Sequence, residues 1–289
     1  TTDPDARSMI LHGSVIEVAY NVQTVADSAN KLVLEYEVTN QNDRKALLPM
    51  AQKTKSICDT EAVAVLADKG YHNGEQLAAC QREDIYTYVA YQEVPRSNPV
   101  PTPEFYGERF RYNPKKDQYV CPQGHILKTT GQWYNKKYEK SVTRVKHYKT
   151  TACNNCEVRH LCTRNPNGRV IERSVHAEAV ERNNRRVREN SSVYTLRQQI
   201  IEHIFGTIKR QWGYDHILLK GLRKNEGEFG LIYLIYNFRR VINILGLPKL
   251  KKWLRKLLFS IFTDRALRNC WQQLNYPGCR FGPINAQVA

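Results

Sequence analysis

The sequence changes character twice, near residue 94 and near residue 174, and this division limits the folds available to the chain. Before residue 94, short β-rich runs alternate with helical patterns. From residue 106 to 173 the chain is aromatic, basic and cysteine-bearing, with no long helical period, and long helical patterns follow it. A proline-rich stretch marks the first boundary as a linker: it contains Pro95, Pro99, Pro101 and Pro103. We expect four segments: 1–94, 95–173, 174–246 and 247–289.

The first segment has a mixed α/β order of elements. Two β-rich runs, Val15–Val22 and Leu32–Val38, are separated by turn-forming residues at Asp27–Asn30, which predicts a hairpin. A helix is predicted from Asn42 or Asp43 to Ser56. The strand Ala62–Ala67 ends at Asp68, a helix follows from Asn73 to Arg82, and Ile85–Ala90 forms another strand. The strands on either side of that helix are expected to be parallel.

Helices dominate the sequence after residue 174. Their predicted ranges are His176–Asn190, Tyr194–Trp212, Glu226–Leu245 and a basic amphipathic helix at Leu250–Phe262, and we expect the tail after them to be loose.

Composition indicates a folded, basic protein. Hydrophobic residues form 41% and charged residues 25% of the chain, so a core can form. A formal net charge of +16 favours a polyanionic partner, DNA or RNA, over a merely basic surface. Apolar runs are too short to span a bilayer, and no signal peptide is evident, so we expect a cytoplasmic protein without a membrane partner. Because the sequence starts at Thr1 rather than Met, we expect a fragment or a trimmed chain.

Four of the eight cysteines are clustered between residues 121 and 162. Cys153 and Cys156 have the Cys-x2-Cys spacing that places two thiolates on one turn, and Cys121 and Cys162 can supply two further ligands. This spacing predicts a structural four-thiolate Zn²⁺ site. A redox pair at Cys153 and Cys156, or buried cysteines without a ligand, are the alternatives.

Two carboxylates stand out by their positions. Asp68 ends a strand, where an acidic residue is most often a simple turn or capping residue. Glu202 falls on the polar side of a helix whose apolar side includes Ile200, Ile201, Ile204 and Ile208, and Lys209 returns to nearly the same side. The pattern is typical of a solvated helix face and is equally compatible with an active-site cleft.

In combination, these features resemble a known family, the DDE transposases of bacterial insertion sequences, in the branch with a cysteine-bearing insertion before the glutamate. The resembling segments extend over most of the chain: Thr2–Arg7 (TDPDAR), Tyr20–Gln23 (YNVQ), Ala67–Tyr71 (ADKGY), the cysteine cluster, Tyr194–Arg197 (YTLR) and Glu202–Lys209 (EHIFGTIK). Each is weak alone, but their order and separation are specific.

The resemblance implies a ribonuclease-H-like mixed-sheet core with an inserted zinc-ribbon-like module and C-terminal helices. It implies that Asp3, Asp68 and Glu202 bind two Mg²⁺ ions, with Asp5 as the alternative first carboxylate. Such ions stabilise the entering and leaving oxygens of a phosphodiester. Lys209 would hold a phosphate. The Tyr, Arg, Glu and Lys pattern maps onto Tyr194, Arg197, Glu202 and Lys209, although Arg197 stands one residue farther from the glutamate than in the commoner pattern.

DNA contacts are expected from the basic helices, because lysine and arginine neutralise phosphates with little sequence preference. The candidates are Arg182, Arg185, Arg186, Arg188, Arg197 and Arg210. Double-stranded DNA, as transposon ends and target, is the expected partner, with a homodimer formed on the DNA. Aromatic residues such as Trp133, Tyr134 and Tyr148 could stack on bases or pack a small module around zinc.

Two alternatives remain at this point. In the expected core the first catalytic aspartate lies within the opening strand, yet only two residues precede Asp3. The chain could therefore be a truncated, inactive remnant that only binds DNA. A zinc-ribbon RNA-binding protein is the other alternative, and it would require the carboxylates to lie far apart.

Overall fold

A computed structural model describes residues 2–10, 16–91, 100–138, 141–262 and 285–288. The chain forms two compact units. The first contains residues 1–91 and 182–289, and the second contains residues 92–181. The predicted linker prolines Pro95 and Pro99, and the cysteines Cys270 and Cys279, lie outside the described residues.

The first unit is built on a five-stranded mixed sheet. Its strands are β3 (Asn21–Asp27), β4 (Val33–Thr39), β5 (Val63–Ala67), β6 (Ile85–Val89) and β13 (Asn285–Val288), in the spatial order β4-β3-β13-β5-β6. The β3–β4 hairpin is antiparallel, and β5 and β6 are parallel, as the sequence predicts. The last strand, β13, pairs antiparallel with β3 and parallel with β5. The expectation of a wholly loose tail is therefore wrong for these four residues.

The hairpin forms where the side chain of Asp27 accepts hydrogen bonds from the backbone amides of Ala29 and Asn30. The predicted strand Val15–Val22 is in fact two strands that separate at Tyr20. Its first half is β2 (Ile16–Ala19), which pairs with β1 (Arg7–Ile10) in a separate two-stranded ribbon. Tyr20 points to a carboxylate rather than continuing the strand alternation.

Helices α1 (Leu47–Cys58) and α2 (Gly74–Arg82) accompany this sheet. The predicted start of the first helix is partly wrong, because Asn42 caps a short 3-10 turn at Asp43–Lys45 before α1 begins. The second helix begins as predicted, since the side chain of Asn73 accepts from the amides of Glu75 and Gln76.

The predicted C-terminal helices are observed as α4 (Ala177–Glu189), α5 (Ser191–Phe205), α6 (Leu222–Leu245) and α7 (Leu247–Phe262). A π-helical segment, Gly206–Gln211, continues α5, where the sequence predicted a single α-helix. One side of α5 packs on the sheet through Ile200, Ile201, Ile204 and Ile208, joined by Tyr233 and Tyr236 of α6. This burial confirms the predicted apolar side. None of the helices in the described ranges has the length and apolar composition of a membrane span.

The second unit contains two small antiparallel sheets. One consists of β7 (Arg111–Asn113), β8 (Gln118–Val120) and β9 (Ile126–Lys128), and the other of β10 (Tyr134–Tyr138), β11 (Ser141–Tyr148) and β12 (Ile171–Ser174). A four-residue helix, α3 (Arg159–Cys162), lies between β11 and β12. The core is mainly aromatic, with Phe110, Tyr119, Leu127, Tyr148 and Ile171.

Candidate functional site

Asp68 stands at the carboxyl end of β5, directly after the buried residues of that strand. Its side chain is exposed and accepts a hydrogen bond from the amide of Lys69, which caps a short 3-10 turn at Lys69–Tyr71. Asp68 is therefore a capping residue, and its exposed carboxylate is also available to a ligand.

A buried polar network fixes the turn that follows Asp68. Tyr71 and Gln23 are each 1% exposed, and the Tyr71 hydroxyl donates to the Gln23 side-chain oxygen. The side-chain amide of Gln23 donates from Nε2 to Asp43 Oδ1 over 2.8 Å. The side-chain amide of Asn21 donates from Nδ2 to the same oxygen over 2.6 Å. Asp43 Oδ2 also packs against Gly70, where a Cβ atom would come within 2.7 Å of it. The YNVQ and ADKGY segments are thus one structural network.

Three charged side chains act on Tyr71: those of Asp43, Asp68 and Arg197. Burial raises the pKa of Tyr71, the negative charges of Asp43 and Asp68 raise it further, and the positive charge of Arg197 opposes them. Arg197 comes from α5, the helix that carries Glu202. Its guanidinium also lies 5.5 Å from the ring centre of Tyr194. The structure therefore brings the amino-terminal half of α5 close to the Asp68 turn.

Glu202 and Lys209 are both exposed, and the isoleucines of the same helix are buried. The prediction that Glu202 lies on the polar side of its helix is confirmed. Lys209 belongs to the π-helical segment, and its ammonium lies 5.4 Å from the ring centre of Phe205. π-Helical turns are rare and are found frequently at functional sites.

Asp3 and Asp5 bind the amino terminus of helix α6. The amide of Gly221 donates to Asp3 Oδ2 over 3.2 Å, and the amide of Leu222 donates to Asp5 Oδ2 over 3.0 Å. Gly221 has no side chain with which to cap the helix, so the two carboxylates satisfy these amides and complement the helix dipole. This contact explains the TDPDAR segment in structural terms.

Tyr20 completes the environment of Asp3, because its hydroxyl is 2.8 Å from Oδ1 and 2.9 Å from Oδ2. Partial desolvation favours the protonated acid, but the hydrogen bonds from Tyr20 and from backbone amides outweigh it and lower the pKa of Asp3. In turn, burial and the hydrogen bond to Asp3 raise the pKa of Tyr20 to about 12. Asp3 precedes β1 and lies outside the central sheet, contrary to the expectation that the first carboxylate stands within its opening strand.

In the part of the chain that the structure describes, no three or more carboxylate, histidine or cysteine side chains are already set around a common metal position. Of the predicted carboxylates, Asp68 and Glu202 are exposed and make few hydrogen bonds, so their oxygens suit a hard cation such as Mg²⁺. The oxygens of Asp3 suit it less well, because Tyr20, Gly221 and Asp5 already donate to them.

All four predicted cysteines line one pocket in the second unit: Cys121, Cys153, Cys156 and Cys162. His125, a neighbour of Cys121, lines it too. Cys153 is held closely by the turn at Gly168, where φ is +83° and a Cβ atom would come within 2.7 Å of the Cys153 Cβ. Burial, together with the neighbouring sulfurs, raises the pKa of Cys162 to about 11. The four side chains line a common space, and no three of them in the described part of the chain are set around one metal position.

Arg169 also lines this pocket, and its Nε is buried without a hydrogen-bond partner among the described residues. An unsatisfied buried donor of this kind is costly. Four thiolates around Zn²⁺ carry a net charge of −2 and present sulfur acceptors, so a bound zinc would match both the charge and the unsatisfied donor of Arg169. The donor set therefore fits zinc.

The six predicted DNA-binding arginines do not share one environment. Arg185, Arg188 and Arg210 are exposed, whereas Arg186 is half-buried. Arg186 donates from Nε to the carbonyl of Thr87 and from Nη2 to its hydroxyl, each over 3.0 Å, and burial lowers its pKa. Arg186 therefore connects helix α4 to strand β6 through two hydrogen bonds. The sequence pattern of basic residues could not distinguish this arginine from its exposed neighbours.

Among the aromatic candidates for base stacking, Tyr148 is fully buried and donates to Asp117, so it belongs to the core of the second unit. Trp133 and Tyr134 are partly exposed, at 39% and 41%. The charged groups of Arg144 and Lys146 lie 5.3 and 5.0 Å from the ring centre of Trp133, and Tyr134 stacks on His147.

Residues 120–242 match the family model of the transposase DDE domain. The match supports a DDE transposase. It contains the four cysteines, Glu202 and Lys209, but not Asp3 or Asp68, and it covers less than half of the chain. No curated protein and no solved structure matched the chain. A transposase DDE domain implies DNA as the substrate and, as is typical of the family, divalent metal ions.

Proposed function

We propose that this protein is the catalytic part of a bacterial insertion-sequence transposase, which cleaves DNA strands and transfers them in a metal-dependent reaction. The family match carries this proposal, because one continuous match contains the four clustered cysteines, Glu202 and Lys209. The exposure of Glu202 and Lys209 on one helix, beside a buried isoleucine face, supports it.

Asp68 and Glu202 are the proposed Mg²⁺ ligands. Bound Mg²⁺ would stabilise the negative charge that develops on the entering and leaving oxygens of the phosphodiester. Asp3 remains the proposed third ligand, with Asp5 as its alternative, but its oxygens would then be shared with Tyr20 and Gly221. The Gln23–Asp43–Tyr71 network holds the backbone that presents Asp68.

Lys209 is proposed to bind a phosphate next to the scissile bond through its ammonium group, as a compact point charge. Arg185, Arg188 and Arg210 are exposed and are proposed to neutralise further backbone phosphates. Arg182 and Arg197 remain candidates, whereas Arg186 is proposed to act through strand β6. We propose that the protein works as a homodimer on DNA, in the bacterial cytoplasm.

The core is proposed to be ribonuclease-H-like. The antiparallel β3–β4 hairpin and the parallel β5–β6 pair belong to one mixed sheet on which α5 packs, and this arrangement supports the assignment. The inserted unit is proposed to be a zinc-ribbon-like module whose Cys121, Cys153, Cys156 and Cys162 bind one structural Zn²⁺. The unsatisfied Nε of Arg169 supports zinc over unligated thiols. A metal site also compensates for the small core of this unit.

A comparison of strand cleavage with DNA affinity tests the enzymatic proposal. Glu202→Gln is expected to abolish cleavage in Mg²⁺ and to leave DNA affinity nearly unchanged, because it removes a metal ligand but no phosphate contact. Lys209→Ala should weaken both cleavage and DNA binding. It should also reduce the slope of log affinity against log salt concentration by about one, because one phosphate contact is lost. If Glu202→Gln cleaves like the parent, Glu202 is only a solvated helix residue. Glu61→Gln makes the same change at an exposed residue outside the proposed site and serves as the control.

The zinc proposal is tested by metal analysis of the purified protein. One zinc per chain is expected, with the four thiols protected from titration until the metal is chelated. No zinc, together with four freely reactive thiols in the folded protein, would refute it.

A further inference from the structure

Helices α5 and α6 share an apolar cluster that contains Ile204, Tyr233 and Tyr236, but a groove between them is polar and basic. His203, Thr207 and Gln211 line it from one side at helical spacing, and Tyr236, Arg239, Arg240 and Asn243 line it from the other. The space between these side chains, including its open mouth, is about 510 Å³. Facing sides of packed helices are normally apolar, so a polar groove at this position needs a physical reason.

The charge of the groove has one sign. Two guanidinium groups, those of Arg239 and Arg240, line it, and no carboxylate does. Within the described ranges, neither arginine forms an ion pair with an acidic side chain. A concave surface lined by unneutralised positive charge focuses its field and attracts anions.

Several groups that line the groove are fixed in place. Arg240 donates from Nε to the carbonyl of Asn30 over 2.6 Å, so its two Nη nitrogens remain as donors for a ligand. The Tyr236 hydroxyl donates to the carbonyl of Lys31, so it accepts from the Nδ1–H of His203. Arg239 lies 6.0 Å from the ring centre of Trp212. Arginine and amide donors on a rigid frame are suited to the oxygens of a phosphate.

The π-helical segment provides a second, independent observation. Thr207 and Gln211 both belong to it, and the Thr207 hydroxyl donates back to the carbonyl of His203. The wider turn therefore forms one wall of the groove. π-Helical turns are rare and occur frequently at functional sites.

We propose that this groove binds a phosphate of the DNA backbone. His203 follows Glu202 directly, so the groove opens about 100° around the helix from the proposed catalytic carboxylate. DNA held at Glu202 would have a neighbouring phosphate within reach of the groove. The assignment of the phosphate to DNA rests on the proposed function, whereas the preference for an anion rests on the groove itself.

Two variants with matched controls test this inference through DNA binding alone. Gln211→Glu adds a negative charge to the groove at an exposed position, and Gln81→Glu adds the same charge at a half-buried position on α2. Arg239→Gln removes one exposed groove charge, and Arg82→Gln removes one exposed charge at the end of α2. Each groove variant is expected to weaken binding of a duplex roughly tenfold at low salt, and Arg239→Gln should lower the salt slope by about one. The α2 variants should change binding less than twofold.

Binding of inorganic phosphate at constant ionic strength forms the second arm. We expect it to be weak for the parent protein, because a single phosphate lacks the rest of the DNA backbone. Tight phosphate binding that Gln211→Glu abolishes, without an effect of this variant on DNA, would overturn the assignment to DNA. If the parent binds and cleaves DNA, but the groove variants bind DNA as tightly as the control variants, this inference is refuted and the proposed function is not. A parent that binds no DNA would refute the proposed function as well.

Discussion

Replacing Tyr71 by phenylalanine is expected to destabilise the first unit by about 1–3 kcal/mol, the cost of leaving a buried polar group without its partner. Both Tyr71 and the side chain that accepts its hydrogen bond, Gln23, are 1% exposed. Phenylalanine keeps the ring and nearly all of its buried apolar area, so the hydrophobic contribution is retained. The loss therefore arises from the Gln23 oxygen, which solvent cannot reach.

Urea unfolding followed by circular dichroism measures this loss as a shift of the midpoint at constant slope. Tyr86→Phe is the matched control, because Tyr86 is 53% exposed on the neighbouring strand, and it should change stability by less than about 0.5 kcal/mol. The double variant Tyr71→Phe with Gln23→Met should lose less than the sum of the two single changes, since both partners are removed. If Tyr71→Phe is as stable as Tyr86→Phe, the network does not hold the Asp68 turn.

Three further outcomes are expected. Asp5→Ala should destabilise α6 by about 0.5–2 kcal/mol as a lost cap, whereas Glu61→Ala, at an exposed residue, should not shift the urea midpoint. In the second unit, hydrogen bonds from Lys146 and Tyr148 lower the pKa of Asp117 to about 2. Because the folded-state pKa of Asp117 is depressed, its ionised carboxylate stabilises the fold above about pH 4, and this stabilisation is lost as pH falls toward 2. The free energy of unfolding, measured as a function of pH, should fall over this range. Asp117→Asn should remove that part of the pH dependence. Arg169→Met should weaken zinc binding roughly 10- to 100-fold, measured in competition with a chelator. Arg164→Met, at an exposed residue, is the control and should leave zinc affinity unchanged. Equal zinc affinities for the two variants would contradict the role of Arg169.

The sequence predicted the elements whose signals are local. Asn73 caps its helix, Asp27 makes the hairpin turn, and the run at Val63–Ala67 forms a buried parallel strand. The isoleucine spacing also placed Glu202 on the polar side of α5. Each of these features depends on residues a few positions apart, where spacing and side-chain chemistry are sufficient.

Features that depend on distant contacts were not predictable from local patterns. Asp3 and Asp5 bind the start of α6 more than 200 residues away, so nothing in the TDPDAR segment indicates a cap. Tyr20 ends a strand because its hydroxyl binds Asp3. Arg186 resembles its basic neighbours in sequence, but it binds Thr87. The isoleucine spacing continues from α5 into the π-helical segment, so the periodicity did not reveal the change of helix type.

The same distinction applies to the candidate site. The positions of Asp68 and Glu202 in a strand and a helix were compatible with a site, but the family resemblance made them candidates; the cysteines were candidates by their spacing. Asp43, Gln23 and Tyr71 could not, because the network joins them from three separate segments of the chain. Asn42 and Asp43 were interpreted only as caps, although Asp43 also accepts two side-chain hydrogen bonds from β3.

A crystal structure of the protein with DNA and Mn²⁺, which reveals the metal by its anomalous signal, tests the central claim most directly. The claim is that Asp68 and Glu202 share a metal-binding site. We expect anomalous peaks between their carboxylates, which should lie within about 8 Å of each other, because a two-ion site cannot be wider. Carboxylates on opposite faces of the unit, with no metal bound to either, would contradict the transposase mechanism.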